Sequence, residues 1–296
     1  MLHAGRDQLG ECPVWDERHG ILYRVDVVEG VVLALDVSTG KERRFDVGCH
    51  VGSLVTRDDD RGLIVAAELG FAALNINSGD LTPLASVGAS DLNVLMNDGK
   101  CDPQGRFLAG TMHRAALPGH GALFRYDPPD GAVSVIEGVG ISNGLAWDRL
   151  GTTLYYIDSL LGRVDRMRYD GESGRVFDRR PAFDLSSYPG MPDGMASDAE
   201  DCLWIAFWRG GAVRRFDLTG QLLTEIRLPV TRTTSCCLGG DDLADLYVTT
   251  ARRSLRDVAT DSNPLAGAVF RCRVEVPGLP SRRWRSPHEA LARQPG

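Results

Sequence analysis

Residues 192–217 read PDGMASDAEDCLWIAFWRGGAVRRFD, one whole unit of a repeat. The unit opens on a carboxylate beside a glycine, Asp193-Gly194, and passes through a polar turn into an alternating run, LWIAF. It then turns at Gly210-Gly211 and returns as AVRRFD. Apolar residues at every second position mark a half-buried strand, and two such runs around a glycine turn mark a hairpin. Counterparts of the first run stand at ILYRVD (21–26), GLIVAAE (62–68), RFLAGTM (106–112), TLYYID (153–158), CLWIAF (202–207) and DLYVTTA (245–251). Their leading apolar residues, Leu22, Leu63, Phe107, Leu154, Leu203 and Leu246, lie 41, 44, 47, 49 and 43 residues apart.

A second run follows each: VVLALD, FAALNI, ALFRYD, RVDRMRYD, AVRRFD and AVFRCRV. The first five lead into DVSTG (36–40), NINSG (75–79), DPPDG (127–131), DGESG (170–174) and DLTG (217–220). In such turns the Asp or Asn side chain bonds the backbone ahead of it, and the Gly takes a positive φ. A period of 40–50 residues holding about four short strands is the mark of a β-propeller. The expectation is an all-β protein: one six-bladed propeller over residues 1–285, four-stranded blades around a central channel, and a C-terminal tail over 286–296. Ring closure has two candidates, a short strand from Met1–Leu9 or the segment PSRRWRS (280–286).

Composition narrows the function. A net charge of -7 argues against a nucleic-acid partner, which usually meets a basic face. No apolar run approaches the roughly 20 residues of a membrane helix, and MLHAGRDQLGE has no signal-peptide core, so a cytoplasmic protein, not membrane-bound, is expected. The seven cysteines are scattered without a CxxC pair and read as reduced packing residues. The six histidines show no HxH or HExxH spacing, against a histidine-rich zinc site. There is no GxSxG, and Ser142 in ISNG has no histidine near it in sequence, against a serine hydrolase. Trp15, Trp147, Trp204 and Trp208 read mainly as packing between blades.

The first strand of each propeller blade lines the channel. Counting back ten or eleven residues from each leading apolar position reaches Glu11, Gly52, Asn97, Asn143, Asp193 and Ser235. Aligning the glycines instead would favour Asp98 over Asn97. Asn-Gly and Asp-Gly pairs often simply make turns, but here acidic and amide residues recur in matching register. Carboxylates converging on one axis repel each other unless a cation or proton compensates them. Glu11 and Asp193 with neutral amide oxygens suit one divalent ion, Ca²⁺ first at roughly 2.3–2.6 Å, with Mg²⁺, Mn²⁺ or Zn²⁺ as alternatives.

The segments LGECPVW, NDGKCDPQGRFLAGTM, ISNGLAWD, MPDGMASD, TTSCCLGGDDLADLYVTTAR and PLAGAVF, in that order, closely resemble the SMP-30/gluconolactonase family of regucalcin-like proteins and sugar-acid lactonases. The resemblance implies a six-bladed propeller, metal ligands at Glu11, Asn143 and Asp193, and a substrate-side asparagine at Asn97. Three positions depart from the family pattern. Leu95 stands where sugar-lactone members commonly carry Arg, Ala115 where some carry Glu, and Cys12 where Gly or Ser is usual. Losing charge-assisted bonds of about 1.5–3 kcal/mol each makes a polyhydroxylated sugar lactone a poorer fit.

The reading is therefore a metal-dependent hydrolase that opens a lactone or related ester. Asp193 orients and activates water, and Asn97, Leu95 and His113 are the candidate substrate contacts. The loop TMHRAALPGHG (111–121), which carries His113, is placed over the mouth as a lid. A small-molecule substrate is the expected partner, and the chain a monomer or weak homodimer. Two alternatives stay open: a calcium-binding regulatory protein without turnover, and a phosphotriesterase-type hydrolase on the same site.

Overall fold

Hairpins join the alternating strands into blades. The computed structural model describes every residue except 69, 89–90, 258 and 286–296, so the expected tail lies outside the described residues. Blade 1 is β1 (Gly10–Asp16), β2 (Ile21–Asp26), β3 (Val31–Asp36) and β4 (Glu42–Asp46). Blade 2 is β5 (Val51–Thr56), β6 (Leu63–Ala67), β7 (Gly70–Leu74) and β8 (Leu81–Ser86). Blade 3 is β9 (Val94–Cys101), β10 (Phe107–His113), β11 (Gly121–Asp127) and β12 (Gly131–Val139). Blade 4 is β13 (Ser142–Trp147), β14 (Thr153–Asp158), β15 (Arg163–Asp170) and β16 (Arg175–Asp184), with a single 3-10 turn, Ser159–Leu161, after β14. Blade 5 is β17 (Met191–Ser197), β18 (Leu203–Trp208), β19 (Ala212–Phe216) and β20 (Leu222–Arg227). Blade 6 is β21 (Thr233–Gly239), β22 (Asp245–Thr250) and β23 (Phe270–Arg273). Every blade is an antiparallel meander in chain order, as the repeat predicts. Among the described residues no helix is long and apolar enough to cross a membrane.

The apolar faces meet between blades. Six core clusters lie one at each junction of the ring, such as Val32, Leu54 and Val65 between blades 1 and 2, and Trp15 with Tyr247 between blades 1 and 6. Each blade thus buries both faces, which a lone four-stranded sheet could not do. The turns at the third hairpin behave as read. Asp36 Oδ1 accepts from the backbone N–H of Ser38 at 2.9 Å, Asp217 Oδ1 from that of Thr219 at 2.9 Å, and Gly40 and Gly220 have φ of 70° and 91°.

Closure falls to the first of the two candidates. The N–H groups of Leu2 and His3 donate to the Val269 carbonyl at 2.9 and 3.2 Å, and the Val269 N–H donates back to the His3 carbonyl at 3.1 Å. The N-terminus therefore occupies the fourth position of blade 6. The segment 280–286 does not close the ring. Its described part runs beneath the ring, at the opposite end of the channel from Glu11 and Asp193. Ala199 N–H donates to Pro277 at 2.9 Å, Gly278 N–H to Leu243 at 2.8 Å, Trp284 N–H to Thr56 at 2.8 Å and Arg285 N–H to Gly105 at 2.9 Å. Trp284 stacks on Tyr126 at 5.9 Å. This strap crosses from blades 5 and 6 to blades 2 and 3, and Leu279 to Arg282 floor the lower channel, a cavity of about 120 Å³.

Candidate metal centre and substrate pocket

Every inner strand carries a register break near its start. The pairing of each innermost strand with its neighbour slips between Glu11 and Val14, Val51 and Ser53, Met96 and Gly99, Ser142 and Leu145, Pro192 and Met195, and Thr233 and Ser235. A bulge leaves one or two residues out of the ladder and bends the strand, so their side chains are re-aimed. The residues so released include Gly52, Asn97-Asp98, Asn143-Gly144, Asp193-Gly194 and Thr234, with Glu11 at the lip of the first bulge. Asn143-Gly144 and Asp193-Gly194 are thus bulges within strands, not turns. Their glycines serve close approach. A Cβ on Gly144 would meet the Asp193 carbonyl oxygen at 2.8 Å, and one on Gly194 would meet Ser235 Oγ at 2.0 Å.

The bulges bring Glu11, Asn97, Asn143 and Asp193 into one pocket at the upper end of the channel, a cavity of about 80 Å³. Both residues competing at the third register position are released, and they part. Asn97 faces this pocket and Asp98 faces the lower cavity. In blade 6 the register is one residue off. Thr234 occupies the bulge, its hydroxyl donating to the Gly10 carbonyl at 2.6 Å, and Ser235 lines the lower cavity.

A directed hydrogen-bond chain fixes the amides. Asn97 Nδ2 donates to the Ser142 carbonyl at 2.8 Å and to Asn143 Oδ1 at 3.1 Å. A carbonyl can only accept, so the Asn97 orientation is set, and Asn143 must then offer its oxygen. Asn143 Nδ2 donates to Ser159 Oγ at 2.8 Å, and that hydroxyl donates to the Pro192 carbonyl at 2.6 Å. The chain ties blades 3, 4 and 5 together and ends on the residue before Asp193. Its consequence is chemical: with both carboxylates ionised, Glu11, Asp193, Asn97 Oδ1 and Asn143 Oδ1 present only acceptors at the pocket floor.

The electrostatics agree. Burial first, then the charges of Asp193 and Asp98, push the Glu11 carboxyl well above the usual carboxylate range. Burial and then Asp98 do the same to Asp193. No hydrogen-bond donor or cation reaches the Asp193 carboxylate among the described residues, although it is only 6% exposed. Buried carboxylates in this state call for positive charge. Two carboxylates and an amide oxygen whose nitrogen is held from behind form a hard-oxygen donor set for a divalent ion, with the Asn143–Ser159 bond as its outer support. The described residues hold no group of three or more His, Cys, Asp or Glu that could bind a metal, so an amide must complete any site here.

Two sequence-predicted contacts fall elsewhere. Leu95 is buried opposite Met112 on β10 and is not among the residues lining the pocket. His113 points away from it as well. Its Nδ1 accepts from the Ala115 N–H at 3.0 Å, and its ring lies 5.3 Å from that of His120. Alternation along β10 puts Met112 on the pocket side in its place. Ala116 in the same loop does reach the roof, packing with Met112, Ile141 and Leu255. Trp208, read as packing, also lines the mouth.

Other contributors are not legible by register counting. Asp26 and Asp158 end their strands and grip the chain entering the site. Asp26 accepts from the Gln8 and Leu9 N–H groups at 2.7 and 3.2 Å, and Asp158 from those of Gly140 and Ile141 at 2.9 and 3.0 Å. The shared final Asp of ILYRVD and TLYYID is the signal. Ser159 follows directly. The second roof element, Ser254–Arg256, comes from the long connection between β22 and β23.

Comparison with known proteins places this chain in a family. Residues 9–252 match the model described as the SMP-30/Gluconolactonase/LRE-like region. Regucalcin of Xenopus laevis is 40% identical over 270 residues, covering 89% of this chain and 90% of its own length. The crystal structure of a calcium-binding protein, regucalcin, from Agrobacterium tumefaciens superposes with a TM-score of 0.90 at 27% identity, covering 96% of each chain. A luciferin-regenerating enzyme superposes with a TM-score of 0.89 at 29% identity, covering 95% of this chain and 97% of its own. The chain belongs to the SMP-30/gluconolactonase/LRE-like family.

Proposed function

We propose that this protein is a divalent-cation-dependent hydrolase that opens the ring of a lactone or cleaves a related carboxylic ester. The observation that carries the reading is the acceptor-only floor. Ester hydrolysis develops negative charge on the carbonyl oxygen, which needs a donor or a cation beside it. No side chain on the floor supplies one, whereas Glu11, Asn143 and Asp193 together would hold Ca²⁺, or Mn²⁺, Mg²⁺ or Zn²⁺.

When bound, the cation keeps both carboxylates ionised, polarises the ester carbonyl and acidifies water. A carboxylate oxygen of Asp193 would accept a hydrogen bond from the attacking water and orient it. A carboxylate beside a dication is a weak base, so orientation is its larger share of the work. Asn97 has both Nδ2 hydrogens committed. It meets substrate or water through Oδ1 alone, as an acceptor. Ser159 keeps the Asn143 oxygen aimed at the floor, and Met112, Ile141 and Leu255 exclude bulk water from above.

The test removes bound metal with a chelator, restores each ion separately, and follows proton release from a panel of aliphatic and sugar lactones. Ion-dependent turnover is expected, and Asp193→Asn should lower it by at least about 10² while the fold persists. A second reading is a calcium-binding protein without turnover, which the same donor set and the calcium-binding relative support. Tight Ca²⁺ binding with no lactone opened under any ion would select it.

A further inference from the structure

The upper pocket is built in two tiers. Its floor is polar, but its walls and roof are Leu9, Met112, Ile141, Met191 and Leu255, with one cation, Arg256, at the rim. A polyhydroxylated ring needs donors and acceptors around its edge, and this wall offers it methyl and thioether groups. Arg256 is exposed, and among the described residues its guanidinium has no ion pair or hydrogen bond. The acids near it in sequence are engaged elsewhere. Asp257 faces Arg232 at 3.4 Å and Arg209 at 3.7 Å, and Asp261 faces Arg232 at 3.8 Å.

The loop that carries Arg256 is fixed without it. Arg252 and Arg253 N–H groups donate to the Gln8 carbonyl at 3.0 and 2.9 Å, and the Asp261 N–H donates to the Arg252 carbonyl at 2.7 Å. The Asp257 N–H donates to Ser254 Oγ at 2.8 Å. Leu255 then reaches across the mouth to Met112, Ala116 and Ile141. An anchored loop with an unengaged guanidinium over an apolar wall is a selectivity device. Guanidinium groups favour carboxylates, which they bind through two parallel hydrogen bonds.

We infer that the pocket selects a lactone, or the hydroxy acid it opens to, with an apolar side chain that ends in a carboxylate. The ring carbonyl lies on the floor, the side chain along the Met112–Ile141–Leu255 wall, and the carboxylate on Arg256. This rests on the hydrolase reading for the ring and on the wall and rim for the rest.

Non-hydrolysable lactams separate the two. Calorimetry with Ca²⁺ present would use three probes: a γ-lactam whose alkyl chain ends in a carboxylate, the same lactam ending in a carboxamide, and gluconolactam. The carboxylate lactam should bind at least about tenfold tighter than the carboxamide, and Arg256→Gln should bring the pair within about twofold. Gluconolactam should bind weakest. Equal binding of the first two probes, an equal loss on both in Arg256→Gln, no binding of either, or tightest binding of gluconolactam overturns the inference. Turnover of the matching lactones is read in parallel. If the lactams bind in the expected order but no lactone opens, the hydrolase reading falls and the ligand class stands. If lactones open without that order of preference, the reverse holds.

Discussion

Blade 1 contributes to two sets of buried charge, and the molecule treats them oppositely. Arg24, fully buried on β2, is clamped by Asp7 at 2.6 and 3.0 Å and by Glu42 at 2.6 Å, so every charge has a partner. One strand inward, Glu11 shares the upper pocket with Asp193 of blade 5, no Lys or Arg among the described residues pairs with either, and burial pushes both away from their charged forms. Desolvating a charge costs several kcal/mol whichever set it belongs to. The first set offsets part of that cost within the chain: burial still holds the Asp7 carboxyl above its usual range, against the pull of Arg24. The second has no such partner among the described residues, and that is the difference between a structural ion pair and the metal site proposed above.

The largest expected effect breaks the first set. Arg24→Met should strand the buried Asp7 and destabilise the fold by about 3–5 kcal/mol, read from urea unfolding. A loss under about 1 kcal/mol would mean that the pairing contributes little. Next, Ca²⁺ at about 100 times its dissociation constant should raise the unfolding free energy by about 2.7 kcal/mol. Arg24→Met should show the same increment, and Asp193→Asn should show little of it. Smaller still, Asp193→Asn measured in chelator should be more stable than the parent by roughly 1 kcal/mol, because a like-charge repulsion is removed. A less stable variant under those conditions would place a favourable partner on Asp193 and undo the comparison.

The smallest effect concerns a charge that is avoided. His50 Nε2 donates to the Met96 carbonyl at 2.7 Å, one residue before Asn97. Burial lowers its pKa from 6.5 to about 4. The unfolded chain therefore takes up this proton first as pH falls. The neutral imidazole's contribution is fully present above about 6.5 and is lost between there and about 4. His50→Gln should flatten the stability profile across that window in thermal melts, and an unchanged profile would remove His50 from it.

Much of this was readable from the chain because propellers write their architecture as a period. The leading Leu or Phe of each run fixes the blades, and an offset of ten or eleven residues back to the inner strand reaches Glu11, Asn97, Asn143 and Asp193. That offset works because each inner strand bulges at nearly the same height. It slipped by one at Thr234, where the bulge sits one residue earlier. The sequence neighbourhood suggests Leu95 and His113 as pocket residues, but alternation along β10 turns His113 away, and Leu95, on the same face as its partner Met112, is not among the residues lining the pocket. Leu255 of the apolar wall and Arg256 come from a connection between β22 and β23 that has no repeat to align. Ser159 matters through its bonds to Asn143 and to the Pro192 carbonyl of blade 5, and register counting along the inner strands does not reach it.

The two ends of the chain finish the ring in different ways, and this bears on rates. His3 completes blade 6, while 277–285 runs under the channel from blades 5 and 6 to blades 2 and 3. A closed ring has no free end blade from which to peel apart, so opening it means first lifting one of these latches. Such contacts join residues far apart in sequence and tend to form late in folding, where they slow unfolding more than they hasten folding. Glu11 lies close in sequence to one latch, yet the channel beneath it is floored by the other, far away in the sequence. The pocket is therefore among the last features of the molecule to become complete, and its persistence depends on how seldom either latch lifts.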